Sequence, residues 1–245
     1  KYRLISIHDY LDNNISVPAG CIPMIFTFDD GTPGQFNLIE KDGKLVVNPE
    51  SAVGIMEKFY EKHPDFGLEA MFTVNLSNNM FDGEGTLKER INYLIDSGFE
   101  IGNHTLTHAY LNKIEDEETI KKEIGGNQKK MYELVPGYKF RVFSLPYGKS
   151  SEELWQYVIK GEYDGIEYEN EAILEVAWSP TYPPFTKDFD PHAIQRVRAP
   201  GMKSVEADLH WWMDQLSYEE QFVSDGNPET IAIPESQEEN IDKEK

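Results

Sequence analysis

Short apolar runs of strand-forming residues alternate with amphipathic helical patterns along nearly the whole chain, and few folds accommodate that alternation. PMIFTF (23–28), EAMFTVN (69–75), FEIGNH (99–104), a run over 140–145, AILEVAW (172–178) and AIQRVRA (193–199) read as strands, with TIAIP (230–234) as a last short one. Between them, residues 50–62 put Val53, Met56, Phe59 and Tyr60 on one helical face. Thr86 and Glu89 form a capping box that opens a helix through Ile91, Leu94 and Ile95, which Gly98 closes. EDEETIKKE sets acids four residues ahead of Lys121 and Lys122 and reads as a solvated helix face. That helix continues to about Val135, although Gly125 and Gly126 each cost it about 1 kcal/mol. Further helices are expected over 151–160 and 204–215. Alternating strands and helices imply one α/β domain, a parallel sheet closed or half-closed with helices outside. It covers 21–235, between a polar, irregular N-terminal arm (1–20) and a frayed acidic tail (236–245).

Composition narrows the function. The 245 residues include 44 Asp plus Glu against 23 Lys plus Arg, a formal charge of −21. Phosphates need a basic surface, so nucleic acid and anionic membrane are poor partners. One cysteine, Cys21, excludes an internal disulfide and a cysteine-built zinc site. Cys21 reads as a small buried residue leading into the first core strand. The VPAGC around it is like a lipoprotein cleavage box, but the preceding IHDYLDNNIS is too polar for an apolar leader. No apolar run approaches the roughly 20 residues of a membrane span, and any signal peptide is absent or already removed before Lys1.

In such folds sites form at the carboxyl ends of the strands. Three strand ends carry groups that apolar packing does not explain: Asp29-Asp30, His104 with His108, and Leu145-Pro146-Tyr147-Gly148. If the strand ran on through HTLTH, the two imidazoles would stand about 13 Å apart, beyond the reach of one metal ion. If the chain turns helically after Asn103, the two share a face and converge. Asp29 and Asp30 point different ways at a strand end, so one can complete a His, His, Asp metal triad and the other act as general base. The alternative is a solvated turn. FDDGT is also close to the DxDGT motif of haloacid-dehalogenase-like phosphatases, but the nucleophile's position there is Phe28.

FTFDDG (26–31), GNHTLTH (102–108) about 70 residues later, and LPYG (145–148) together resemble the polysaccharide deacetylase family, the NodB-homology domain of carbohydrate esterase family four. The resemblance implies a distorted (β/α) barrel of about seven units and metal-dependent removal of N- or O-acetyl groups from a polysaccharide or oligosaccharide such as peptidoglycan, a chitin-like polymer or acetylated xylan. It implies Asp29 as catalytic base, Asp30, His104 and His108 as metal ligands, and the Tyr147 backbone N–H as an oxyanion donor. Zinc is the family's usual metal, with cobalt or nickel as substitutes, and secretion or a cell-surface location goes with the substrate class.

Two positions depart from the family pattern. An Arg that pairs with the base belongs two residues before Pro146, where this chain has Ser144; Arg141 and Arg196 are the candidates to supply the charge from elsewhere, a choice the sequence leaves open. A His that serves as general acid belongs on the last strand, yet TIAIPES has none. His192 and His210 are the only histidines beyond the second metal motif, with His192 the better candidate. Trp178, Tyr182, Trp211 and Trp212 either stack on sugar rings or pack structurally. The departures also leave open a relative that keeps the metal and binds glycan without hydrolysing it.

Overall fold

The chain begins with β1 (Tyr2–Leu4), α1 (Ile7–Leu11), β2 (Ile22–Met24) and β3 (Thr27–Phe28) in a computed structural model that describes residues 1–199, 205–216 and 220–244. A hairpin of β4 (Leu38–Lys41) and β5 (Lys44–Val47) leads to α2 (Ala52–Tyr60). Then follow β6 (Met71–Val74), α3 (Leu87–Asp96), β7 (Glu100–Asn103), α4 (Glu117–Leu134) and β8 (Val142–Ser144). Helix α5 (Trp155–Ile159), a second hairpin of β9 (Lys160–Tyr163) and β10 (Ile166–Glu169), β11 (Ala172–Leu174) and α6 (Leu209–Gln215) complete the regular elements. The central sheet has the order β11-β8-β7-β6-β3 with every pair parallel, and it curls into a half-barrel. The α/β class expected from the sequence is what forms.

Strand alternation sorts the core into two layers. Met71, Val142, Ala172 and Leu174 face the concave side and pack with Ile5, Ile7, Tyr10, Ile15, Val17 and Cys21. Residues 1–20 are therefore not an irregular arm; they hold β1 and α1 and fill the mouth of the half-barrel. On the convex side Phe72, Val74 and Ile101 meet Ile91 and Leu94 of α3, while Phe143, Leu145 and Ile173 meet Ile120 and Ile124 of α4 and Val158 of α5. Among the described residues no helix is long and apolar enough to cross a membrane.

Several elements differ from the sequence reading. The run 193–199 contributes a single parallel bridge, Ile194 to Leu174, and residues 230–234 form no strand; a 3₁₀ turn, Glu235–Asn240, follows them. The acidic tail is docked, since the Lys187 N–H donates to the Asn240 carbonyl and the Asp242 N–H to that of Phe185. The helix expected from residue 204 begins at Leu209; residue 204 itself lies outside the described residues. Both hairpins close on Asp-Gly pairs with left-handed backbone, φ 54° and 72° at Asp42-Gly43 and 53° and 77° at Asp164-Gly165, as a two-residue turn requires.

The two glycines inside α4 are explained by what lies against them. A Cβ on Gly125 would stand 2.7 Å from the Tyr163 Cβ, and one on Gly126 would stand 3.2 Å from Leu106 Cδ2. Their bare backbone lets the β9–β10 hairpin and the loop after β7 approach the helix. Gly125→Ala, which in an open helix gains about 1 kcal/mol, is expected to lower the melting temperature here; calorimetry giving an unchanged or higher value would contradict the close packing.

Candidate active site

Four strand ends meet on the carboxyl rim of the parallel sheet, and three of them end in a polar concave-facing residue. Thr73 on β6, Ser144 on β8 and Asp29 just past β3 lie one alternation beyond the apolar concave-facing residues of the sheet. Gly102 on β7 takes the equivalent position without a side chain, where a Cβ would come within 2.8 Å of Thr73 Cγ2. The space left is filled by hydrogen bonds to Asp29. Thr73 Oγ1 donates to Oδ1 at 2.9 Å, and the Ser144 hydroxyl lies 3.1 Å from both oxygens.

The charge that Ser144 does not carry comes from Arg196. Its Nη1 and Nη2 donate to Asp29 Oδ1 and Oδ2 at 2.8 Å each, a bidentate pair. The same guanidinium reaches Thr27 Oγ1 at 3.1 Å, Ser144 Oγ at 2.8 Å and the Glu175 carbonyl at 3.0 Å. Arg141 is excluded from this role, since it pairs with Asp12 and Glu171. Burial alone would raise the Asp29 carboxyl, but the hydrogen bonds and charge of Arg196 outweigh it, aided by His104 and Thr73. The result is a pKa well below the usual carboxylate range.

Asp30, His104 and His108 form the second half of the site. One ligand atom from each lies within 4.8 Å of the others, with Asp30 Oδ1 at 3.4 Å from His104 Nε2 and 3.2 Å from His108 Nε2. HTLTH is neither extended nor helical. The chain bends twice, with Thr105 at φ 64° and His108 at φ 61°, and this brings the rings to 4.9 Å between centroids. His104 Nδ1 is 2.7 Å from the Ser144 carbonyl, which can only accept, so Nδ1 carries the proton and Nε2 presents its lone pair. His108 Nδ1 is 3.0 Å from the Tyr147 hydroxyl. The Asp30 carboxyl is lowered, first by the neighbouring His104, against partial desolvation. Burial, then the neighbouring His104, pushes the His108 imidazole down, toward the neutral form that ligates.

A buried polar network fixes that bend. Glu123 accepts the Thr107 N–H and hydroxyl, both at 2.9 Å, and its carbonyl accepts the Leu106 N–H at 2.7 Å. Asn127 bonds the Val74 carbonyl, Asn103 Oδ1 and the Leu76 N–H, each at 2.8 Å, while Asn75 donates to the carbonyls of His104 and Thr105. Glu123 corrects the sequence reading: the last acid of EDEETIKKE is buried under the loop, although Lys121–Glu117 does pair on the surface as expected.

The sequence candidates divide cleanly. Asp29, Asp30, His104, His108 and Tyr147 come together. His192 does not: its N–H bonds Asp190 Oδ1 at 2.8 Å, and it lies outside the group of Asp30, His104 and His108. His210 is exposed on α6 and also outside that group. Trp178 is exposed, and its carbonyl accepts from Trp212 Nε1 at 2.7 Å. Thr73 was missed, though a threonine breaking an apolar run near a strand end was a usable signal.

A model of the polysaccharide deacetylase family matches residues 17–166. Among solved structures, a polysaccharide deacetylase from Bacillus cereus aligns with a TM-score of 0.58 at 19% identity, covering 87% of this chain and 56% of that one. A candidate polysaccharide deacetylase from Bacillus anthracis aligns at 0.57 and 18%, covering 88% and 57%. The chain thus spans little more than half the length of either protein, and at this identity the likeness is one of fold. No curated protein sequence matches.

Arg196→Gln leaves the buried carboxylate unpaired, so the Asp29 pKa is expected to rise above its ordinary value in the metal-free protein, as followed by NMR of the carboxyl carbon against pH. Because the folded pKa of Asp29 is depressed, its pairing stabilises the fold above the unfolded value near 4 and is lost as pH falls through the folded one. The stability gap between wild type and variant, about 3–5 kcal/mol at pH 7, should therefore shrink as pH falls, first through the variant's raised Asp29 pKa and then further below about pH 4. A gap independent of pH would contradict the pairing.

Proposed function

This chain belongs to the polysaccharide deacetylase family, and on that premise we propose that it is a metal-dependent hydrolase removing N- or O-acetyl groups from a polysaccharide. The observation that carries the reading is the convergence of Asp29, paired to Arg196, with the Asp30, His104 and His108 cluster on one rim of the half-barrel. The donor set fits a metal. A tetrahedral ion with ligands at about 2.0–2.2 Å needs them about 3.3–3.6 Å apart; the two histidine nitrogens stand 3.4 and 3.2 Å from the Asp30 oxygen, at or just under that range, and all three atoms lie within 4.8 Å of one another. Zinc, or cobalt or nickel in its place, supplies Lewis-acid polarisation of the acetyl carbonyl and acidifies a water.

The protein's own groups do the rest. Asp29 takes the proton of the attacking water as general base. Oδ1 accepts from Thr73 and Arg196 and Oδ2 from Arg196, so when the Ser144 hydroxyl turns to Oδ1, Oδ2 keeps a lone pair to accept the proton. The Tyr147 backbone N–H donates to the developing oxyanion. Asp29, protonated by the first step, then returns the proton to the leaving amine or alcohol, which removes the need for a histidine on the last strand. The bidentate Arg196 answers the departure at Ser144 and weakens the case for an inactive glycan-binding relative. A wall or plant polymer as substrate goes with a secreted or cell-surface protein.

Zinc-loaded protein is expected to release acetate from at least one of chitooligosaccharide, peptidoglycan and acetylated xylan, and to lose that activity on chelation. Asp29→Asn should retain zinc while its rate falls about 10²–10⁴-fold. Acetate release by that variant at the wild-type rate would sink the base assignment.

A further inference from the structure

We infer that Tyr110 is a positioning residue for the metal site, acting through Tyr147 on His108; this rests on the metal reading above. The Tyr110 and Tyr147 rings are stacked, with centroids 3.7 Å apart and planes 5° from parallel. Lys113 Nζ lies 4.5 Å from the centre of the Tyr110 ring and adds a cation–π contact. The Tyr147 hydroxyl is 3.0 Å from His108 Nδ1, and those two rings meet edge-on with centroids 4.6 Å apart. Two residues of one short segment, His108 and Tyr110, therefore hold the same phenol, one by its hydroxyl and one by its face.

The stack has a specific consequence. For Nε2 of His108 to ligate, Nδ1 must carry the proton and find an acceptor, and the Tyr147 oxygen is the acceptor in place. That oxygen is fixed only if the ring is fixed. Tyr147 and His108 both sit in the left-handed region, at φ 60° and 61°, a conformation that non-glycine residues keep only when their surroundings impose it. Both tyrosines are exposed, so the core does not hold them; the stack does. Tyr147 also supplies the amide assigned to the oxyanion, so Tyr110 sets two functional groups through one ring.

Zinc affinity, measured by competition with a chromogenic chelator on the full chain, tests this without reference to activity. Tyr110→Ala is expected to weaken zinc binding about 10–100-fold, and Tyr110→Phe, which keeps the stack, to bind as wild type does. Tyr147→Phe, which keeps the backbone amide and loses the acceptor, should weaken binding as much as Tyr110→Ala. The double variant Tyr110→Ala/Tyr147→Phe should be little weaker than either, because both act through one hydrogen bond. Wild-type affinity in Tyr110→Ala, or Tyr110→Phe as weak as Tyr110→Ala, overturns the inference while leaving the metal reading intact. No zinc binding by the unsubstituted protein overturns both.

Discussion

A half-barrel has two free edges, and in this protein one ion pair spans them. β3 is one edge of the central sheet; the segment bridged to β11 through Ile194 lies beyond the other. Arg196, two residues past that bridge, reaches across to Asp29 and Thr27 at the end of β3. The carboxylate is mostly withdrawn from water and would be costly alone, so its pairing ties the closure of the fold to the ionisation of the residue placed to act as base. Ser144 extends the link: its hydroxyl touches Asp29 and Arg196, and its carbonyl orients His104. Asp29, His104 and the closure of the half-barrel are thus a single hydrogen-bonded unit, and a change to any member is felt by the others.

The backbone around this unit is held in conformations it would not choose. Asp30, Thr105, His108 and Tyr147 all have positive φ, and all four flank the site. Such residues persist where neighbouring groups over-determine them. Asn75 after β6, Asn103 at the end of β7 and Glu123 of α4 do so for the loop after β7 by occupying its carbonyls and N–H groups, and Asn127 of α4 holds the Asn103 side chain in place. Gly125 and Gly126 have a place in the same scheme, since they thin α4 at the point where Leu106 and the β9–β10 hairpin come against it.

Much of this was legible in the sequence. Periodicity located β6, β7, α3 and α4 and the parallel class, and the strand-end carboxylates and histidines pointed to the site. What was not legible has physical causes. The runs 23–28 and 172–178 do hold strands, but β3 and β11 are only two and three residues long, since their extent is set by pairing partners rather than by their own composition. The two hairpins were missed although KDGK and YDGI carry the Asp-Gly signal; each strand mixes charged residues with the few that reach the core, such as Leu38 and Tyr168. Residues 1–20 looked like an arm for the opposite reason: their apolar side chains are scattered among polar ones and find partners only across the sheet. HTLTH was read with two outcomes, strand or helical turn, and took a third that needs left-handed residues. No local signal announces that, because the groups imposing it come from α4 and β6.

The choice between Arg141 and Arg196 shows why such a question lies beyond a single sequence. Arg141 is three residues from Ser144, whereas Arg196 is 52 away. Proximity along the chain favours Arg141, but Arg141 precedes β8 and so stands at the amino end of a strand that runs away from it toward the site. Every strand of a parallel sheet points the same way, so the carboxyl ends make one rim, and positions on different strands become neighbours there. What Asp29 requires is a guanidinium on that rim, from whichever segment can reach it. An Arg at position 144 and a Ser at 144 with an Arg past the sheet edge are two ways to meet one electrostatic requirement. The second also gives the open edge a reason to close.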